Sequence, residues 1–363
     1  MPLRPNPRVS IITPVYNNAD DLAECIESVL AQTYGNWDYT IVNNCSTDSS
    51  GEVARRYAAK DSRIRVIDNE QFLRVIPNHN HALRQISPES EYAKIVFADD
   101  WIFPSCIEKM ILVGEANPSV GIVGAYGLEE TRRGSVREDV VMWTGLPYPS
   151  LRVSGREVCR SLFLDGTYVF GTSTSVLYRS ELVRTRDPFY NEANFHADEE
   201  TCVALLRTWD FGFVHEILTF KRWRATSLGS FSLDFQTVRA GRLHDLVTYG
   251  RDFLSEGEFD HCLREMLSEY YNFLAVSFMR GRRDAKFWDF HKRKLNETVG
   301  FSRGCLLRAI LARTARMVLN PYETIAKLRE SRGSKAAKLT AVAADMIGSP
   351  AADSNPSATA RLS

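Results

Sequence analysis

The chain has 363 residues, 44% hydrophobic and 25% charged, which is the composition of an ordinary globular protein long enough to bury a substantial core. Its formal net charge is zero, yet Arg280–Lys338 carries 16 Lys/Arg against 5 Asp/Glu, a local balance of +11 that suits contact with an anionic surface. The seven cysteines are odd in number and never spaced C-x-x-C, which argues against a disulfide framework or a zinc site and for a reducing compartment.

Residues 8 to about 124 alternate between strand and helix signals. "VSIITP" (Val9–Pro14) reads as a short strand, and a helix follows from Asp20 or Asp21, with Leu22, Cys25, Ile26, Val29 and Leu30 on one stripe. "WDYTIVN" (Trp37–Asn43) is a second strand, and "CSTDSSG" opens a helix that runs to about Lys60. "IRVI" (Ile64–Ile67) is a third strand, and "HNHALRQ" begins another helix. "YAKIVFA" (Tyr92–Ala98) is a fourth strand that ends on Asp99 and Asp100; a helix restarts at "PSCIEKMI", and "VGIVGAY" returns to strand. Near-continuous apolar strands alternating with helices predict an α/β fold, a mostly parallel sheet covered on both faces.

Between residues 125 and 230 the signals are mixed. "TYVFGTSTSVLYR" (Thr167–Arg179) and "FGFVHEILTFKRW" read as extended, and a helix starts at Asp198. From about Phe235 the pattern is helical, and the last stretch, from about Ser349, is rich in Ser, Ala, Pro and Asn and reads as disordered. The expected organisation is an α/β domain over 1–230 (halves 8–124 and 125–230), a basic helical extension over 231–345 and a disordered tail over 346–363. The N-terminus lacks the apolar core of a signal peptide, and no apolar run approaches the roughly 18 residues of a membrane span. The expectation is a cytoplasmic protein, at most peripheral on the inner face of the plasma membrane, with no nucleic-acid partner.

In an open parallel sheet, ligands sit outside the carboxyl ends of the strands. Three polar clusters fall there: Tyr16-Asn17-Asn18, Asn43-Asn44-Cys45-Ser46 and Asp99-Asp100. Adjacent carboxylates suit a hard dication, Mg²⁺ or Mn²⁺, completed by substrate phosphates. A surface turn would also carry such a pair, but its position after a buried strand and before Trp101 favours a ligand. The chain has neither a P-loop nor G-x-G-x-x-G, which disfavours a Walker-type NTPase or a nicotinamide enzyme.

The run "VSIITPVYNNADDLAECIESVLAQTYGNWDYTIVNNCSTDSS", followed by "YAKIVFADDW", resembles the N-terminal half of family 2 glycosyltransferases, over roughly residues 8–228. The resemblance implies a GT-A-type (Rossmann-like) fold and an inverting transfer from a nucleotide diphosphate sugar, often UDP-linked, with a divalent metal and a carboxylate base. It places Pro14 and Tyr16 against the base. Asn43 falls where the family usually has an aspartate reading the base edge, and Asn44 lies beside it. Asp99 and Asp100 match the metal and ribose motif, with Phe97 where many relatives carry an acid. Asp100 is assigned to the metal, and Asp99 to the metal or the ribose.

The same resemblance makes Asp198 the general base. Asp198-Glu199-Glu200 is equally good first-turn chemistry for a helix, and the two roles are compatible. In "FKRWRATS", Arg222 is retained and Arg224 replaces a histidine, leaving a phosphate role, although solvated arginines on a strand are an equal reading. His79 and His81 read as surface or donor-contacting residues.

"RGCLLRAILARTARMVL" (Arg303–Leu319) sets an apolar arc beside Arg308, Arg313 and Arg316. This fits a helix on anionic lipid, or one packed on the protein itself. The implied acceptor is a hydroxyl of a glycan or lipid-linked glycan in surface-polysaccharide synthesis. Two other classes stay open: an inactive nucleotide-sugar-binding scaffold and a sugar nucleotidyltransferase.

Overall fold

The computed structural model describes residues 6–133, 136–142, 146, 150–223 and 228–319. The expectations for Arg224 and for the 346–363 tail fall outside these residues. The N-terminal half begins β1 (Val9–Val15), α1 (Ala19–Leu30), β2 (Trp37–Asn43), α2 (Ser50–Ala58) and β3 (Ile64–Asp68). It continues with α3 (Val75–Leu83), β4 (Tyr92–Ile95), β5 (Trp101–Ile102), α4 (Cys106–Ala116) and β6 (Val120–Arg133). Next come β7 (Val136–Met142), β8 (Arg152–Val153), α5 (Gly155–Asp165), a 3₁₀ turn at Ser173–Ser175, β9 (Val176–Arg179) and α6 (Ser180–Thr185). After α7 (Ala197–Leu205) and β10 (Asp210–Lys221), the described chain is helical: α8 (Leu228–Phe235), α9 (Val238–Phe253), α10 (Glu256–Met279), α11 (Ala285–Thr298) and α12 (Arg303–Leu319).

The strands form one sheet in the order β3-β2-β1-β4-β9-β6-β10-β5, with β7 on β6 and β8 on β10. Pairing is parallel through β3-β2-β1-β4, with Val15 opposite Asn43 and Asn43 opposite Asp68, so the carboxyl ends of β1, β2 and β3 are level. All seven residues of β1 are buried, as a central strand with helices on both faces requires.

Beyond β4 the sheet is mixed rather than mostly parallel. β9 pairs antiparallel with both β4 and β6, while β6 and β10 are parallel to each other. The reason is local. β9 leaves the 3₁₀ turn at the carboxyl edge of β4 and runs straight back, with no crossover helix to return it to the other end. The expected extended run Thr167–Arg179 therefore yields only four residues of strand.

The fourth strand also stops early, at Ile95, and Val96–Ala98 leave the ladder toward the aspartates. The buried strand has a charge inside it: Lys94 is fully buried, and its ammonium donates to the Thr174 carbonyl and, at 3.1 Å, to that of Val176. One apolar core lies under α1, α2 and α4, and a second lies under α5, α7 and α9. A third unites α8–α11 and the first turns of α12. Helix α9 enters two of them, with Leu246 and Phe253 in the second and Leu243 in the third.

Candidate functional site

The polar clusters after β1 and β2 are stitched to each other. The Asn17 N–H donates to Ser46 Oγ (3.1 Å), the Thr47 N–H to Asn17 Oδ1 (2.7 Å) and the Asn18 N–H to Ser50 Oγ (2.9 Å). Asp48 receives the N–H of Ala19 and of Ser50, both at 3.0 Å, which satisfies donors at the starts of α1 and α2 together. Asn17 holds φ 47°, in the left-handed region that asparagine tolerates.

Tyr16 is 47% exposed at this edge, its ring 4.8 Å from that of Phe72, which is also exposed. Pro14 is buried within β1. Asn44 is spent on the backbone: Oδ1 accepts from the Leu73 N–H (2.9 Å) and from Asn69 Nδ2 (2.8 Å), and Nδ2 donates to the Leu73 carbonyl (2.8 Å). It thereby straps down the segment that carries Phe72. Asn43 donates to Asp68 Oδ1 (2.7 Å) and accepts from the Ser46 N–H (3.2 Å). The carboxylate at this position in space is thus supplied by β3, with Asp68 also paired to Arg55 at 3.0 Å.

Asp99 is half-buried and Asp100 is 3% exposed. Asp100 Oδ2 accepts from the Thr174 hydroxyl (2.7 Å) and Oδ1 from the Arg222 N–H (3.1 Å). Burial, and then the charge of Asp99, push the Asp100 carboxyl up to about 8. A buried carboxyl whose ionisation is opposed this strongly, beside a second acid and with two hydrogen-bond donors among the described residues, fits a hard dication bound through oxygen. The Arg222 guanidinium is committed elsewhere: it reaches Asp21 Oδ1 at 2.5 Å and also Glu24, both on α1, and lies 5.2 Å over the Trp101 ring.

Phe97, in the position of the family's acid, stacks on the His79 ring at 4.9 Å. Burial pushes that imidazole down to about 4, so it is neutral at pH 7. His81, on the same helix, is shifted downward by burial and then by Arg84.

Asp198 stands in the first turn of α7, half-buried, and accepts the N–H of Glu199 at 3.0 Å. Its connection to the acidic pair runs through the 3₁₀ turn. Thr201 on α7 donates to the Phe189 carbonyl (3.0 Å), the adjoining Tyr190 hydroxyl donates to Ser173 Oγ (3.0 Å), and Thr174 holds Asp100. Asn80 on α3 closes the frame by exchanging two hydrogen bonds with the Tyr190 backbone, at 2.9 and 2.8 Å. One turn of three residues therefore indexes both carboxylate sites. Thr174, Asp68, Phe72 and the neutral His79 are all absent from the motif-based site. The one signal in the sequence was the lone aromatic Phe72 in a polar run.

A three-layer α/β domain with an aromatic and amide edge over β1–β2, an acid pair after β4 and an acid opening a helix in the mixed half has the GT-A-type fold. Residues 10–184, just under half of the chain, match the model of the family described as Glycosyl transferase family 2. It is 34% identical over 151 residues to EpsE of Bacillus subtilis (strain 168), itself described as a glycosyltransferase. That match takes in 39% of this chain and 54% of EpsE, so the chain spans about half the length of that relative.

Among solved structures, Staphylococcus aureus TarS 1–349 in complex with UDP-GlcNAc superposes with a TM-score of 0.58 over 80% of each chain at 17% identity. The mannosyltransferase PcManGT of Pyrobaculum calidifontis, in complex with GDP-Man and Mn²⁺, gives 0.50 over 92% of this chain and 87% of its own at 16% identity. Both likenesses concern the fold.

Proposed function

We propose that the protein is an inverting glycosyltransferase that moves a sugar from a nucleotide diphosphate donor, UDP-linked in the first instance, to a hydroxyl of a glycan or lipid-linked glycan. The observation that carries this reading is the chain of hydrogen bonds from Asp100 through the Ser173–Ser175 turn and Tyr190 to α7. This puts a candidate cation site and a candidate base on a common frame. Tyr16 and Phe72 offer ring faces to the base, and the Asn43–Asp68 pair offers an acceptor for a base N–H. Asp100 and Asp99 would hold Mg²⁺ or Mn²⁺, which when bound supplies charge neutralisation for the departing diphosphate.

Asp198 takes the proton of the acceptor hydroxyl as it attacks from the face opposite the leaving group. Arg222 would serve the diphosphate only on release from Asp21 and Glu24, so its role in this reading is to fix Asp100 through its own backbone. The complexes of TarS with UDP-GlcNAc and of PcManGT with GDP-Man and Mn²⁺, on the same fold, support a nucleotide sugar and a dication for this chain as well.

The test is a panel of nucleotide sugars with and without Mn²⁺, read by release of nucleoside diphosphate and by thermal stabilisation. Wild type should release nucleotide only with metal. Asp198→Asn should lose roughly 10²–10⁴-fold in rate while keeping donor-induced stabilisation. Asp100→Asn should lose both. Metal-dependent stabilisation by a donor without turnover across acceptors would establish the scaffold reading instead.

The described helices include none long and apolar enough to cross a membrane. Helix α12 lays Cys305, Leu306 and Ala309 on the helical core and leaves Leu307, Leu311, Val318 and Leu319 exposed. With Arg308 and Arg316 alongside, we propose that this outer face rests on an anionic membrane surface.

A further inference from the structure

Apart from the acidic pair at the strand edge, a second group of ionisable side chains is enclosed where the first turn of α7 meets the middle of α9. Glu200 on α7 and His244 and Asp245 on α9 each bring one potential ligand atom to within 4.8 Å of the others, and Glu200 Oε1 lies 3.5 Å from His244 Nε2. Asp245 is completely buried, yet among the described residues neither of its carboxylate oxygens has a hydrogen-bond partner, and His244 Nε2 has none either. An uncompensated buried carboxylate costs several kcal/mol. Arg242 Nε approaches Glu199 only to 3.8 Å, and Glu199, itself buried, keeps Oε1 unpartnered.

Glu200, by contrast, is held in place. Asn191 Nδ2 reaches its two oxygens at 3.1 and 3.0 Å, Asn194 Nδ2 donates at 2.9 Å and the Tyr249 hydroxyl at 3.0 Å. Outer donors of this kind orient a metal-ligating carboxylate.

We propose that Glu200, His244 and Asp245 form a structural site for one first-row transition dication, Zn²⁺ or Mn²⁺, which pins α9 to the beginning of α7. One imidazole with two carboxylates disfavours Mg²⁺ and Ca²⁺, which take oxygen ligands, and the lack of thiolate disfavours Cu(I). In a tetrahedral site with bonds of about 2.0–2.1 Å, neighbouring ligand atoms sit about 3.3 Å apart. The Glu200–His244 edge already has nearly that length, and side-chain rotation of Asp245 closes the remainder. The ion would join the segment that opens with Asp198 to the helix shared by two of the cores. Its existence does not depend on the sugar-transfer reading.

The experiment uses the full-length protein carrying Asp100→Asn, so that the strand-edge pair contributes no competing site. After chelator treatment and dialysis, titration with Zn²⁺ and with Mn²⁺ is followed by calorimetry and by melting temperature. Expected are one equivalent of bound metal and a raised melting temperature. Adding His244→Gln, at a position one-third exposed, should weaken binding roughly tenfold or more and remove the metal-induced rise. Its melting temperature in chelator should equal that of its parent. Asp245→Asn is a second probe, and if it fails to fold, His244→Gln alone decides. No stoichiometric binding in the parent, or binding unaffected by His244→Gln, overturns the site and leaves protons as what satisfies the cluster.

Discussion

Thr174 shows how much of the site rests on a residue with no chemistry of its own. Its hydroxyl accepts the Phe97 N–H at 3.2 Å and donates to Asp100 at 2.7 Å, while its carbonyl receives the buried Lys94 ammonium. Thr174→Val keeps the shape and deletes one of two hydrogen bonds to a buried carboxylate, at an expected cost of about 1–3 kcal/mol. Urea unfolding measures that loss, and the metal concentration needed for half-maximal nucleotide release should rise. Unchanged values for both would remove Thr174 from the frame. The sequence could not have shown this bond. Asp99 and Asp100 were legible because two acids after a buried apolar run are anomalous where they stand, but Thr174 is 74 residues away in a run that reads as ordinary strand. The same holds for Asp68, which takes over the carboxylate at the Asn43 position. That substitution is visible only once β2 and β3 are paired in register.

At the scale of elements, periodicity placed α1, β2, α2 and α12 within a residue or two, because each carries a single apolar stripe or run facing one core. It misplaced the start of α3, which begins at Val75 rather than at His79. Pro77 sits inside the first turn of α3, where helix N–H groups lack intrahelical partners and a proline costs little. For α12, one edge packs on the protein itself, the second of the alternatives its sequence left open, and the other edge is bare. Membrane attachment through the bare edge predicts that Leu307→Ser with Leu311→Ser, both more than half exposed, leaves the melting temperature unchanged. Co-sedimentation with vesicles containing anionic lipid should fall several-fold, since each leucine brings up to roughly 1.5–3 kcal/mol when fully buried. Binding to the same vesicles should also weaken with salt. Undiminished co-sedimentation of the double variant would exclude this face as the anchor.

For the molecule as a whole, the helical extension has a pH limit built into its core. His291 on α11 is completely buried, with phenylalanine rings of residues 287, 290 and 273 at 4.4, 5.1 and 5.4 Å. Its Nε2–H donates to the Phe235 carbonyl at 2.9 Å, and Nδ1 accepts from the Tyr270 hydroxyl at 2.7 Å, which fixes a neutral ring. Burial pushes its pKa down to about 4; the carbonyl opposes this, and the charges of Arg282 and Arg239 add to it. In the unfolded chain the imidazole returns to about 6.5. The unfolded state therefore binds the proton more tightly, so the stability due to this residue is present above pH 6.5 and is lost as the pH falls toward 4. The loss amounts to about 2–3 kcal/mol by pH 4.5. Since α9 belongs both to this core and to the one beneath α7, acid loosening of the extension should reach the helix that carries Asp198. Urea midpoints of wild type and His291→Gln, compared at pH 7.5 and 4.5, isolate the effect, because carboxylate titration is common to both proteins. The variant should be the less stable at pH 7.5, and the difference should shrink by about 2 kcal/mol or more at pH 4.5. A difference that stays constant with pH would mean that the fold does not shift the His291 pKa.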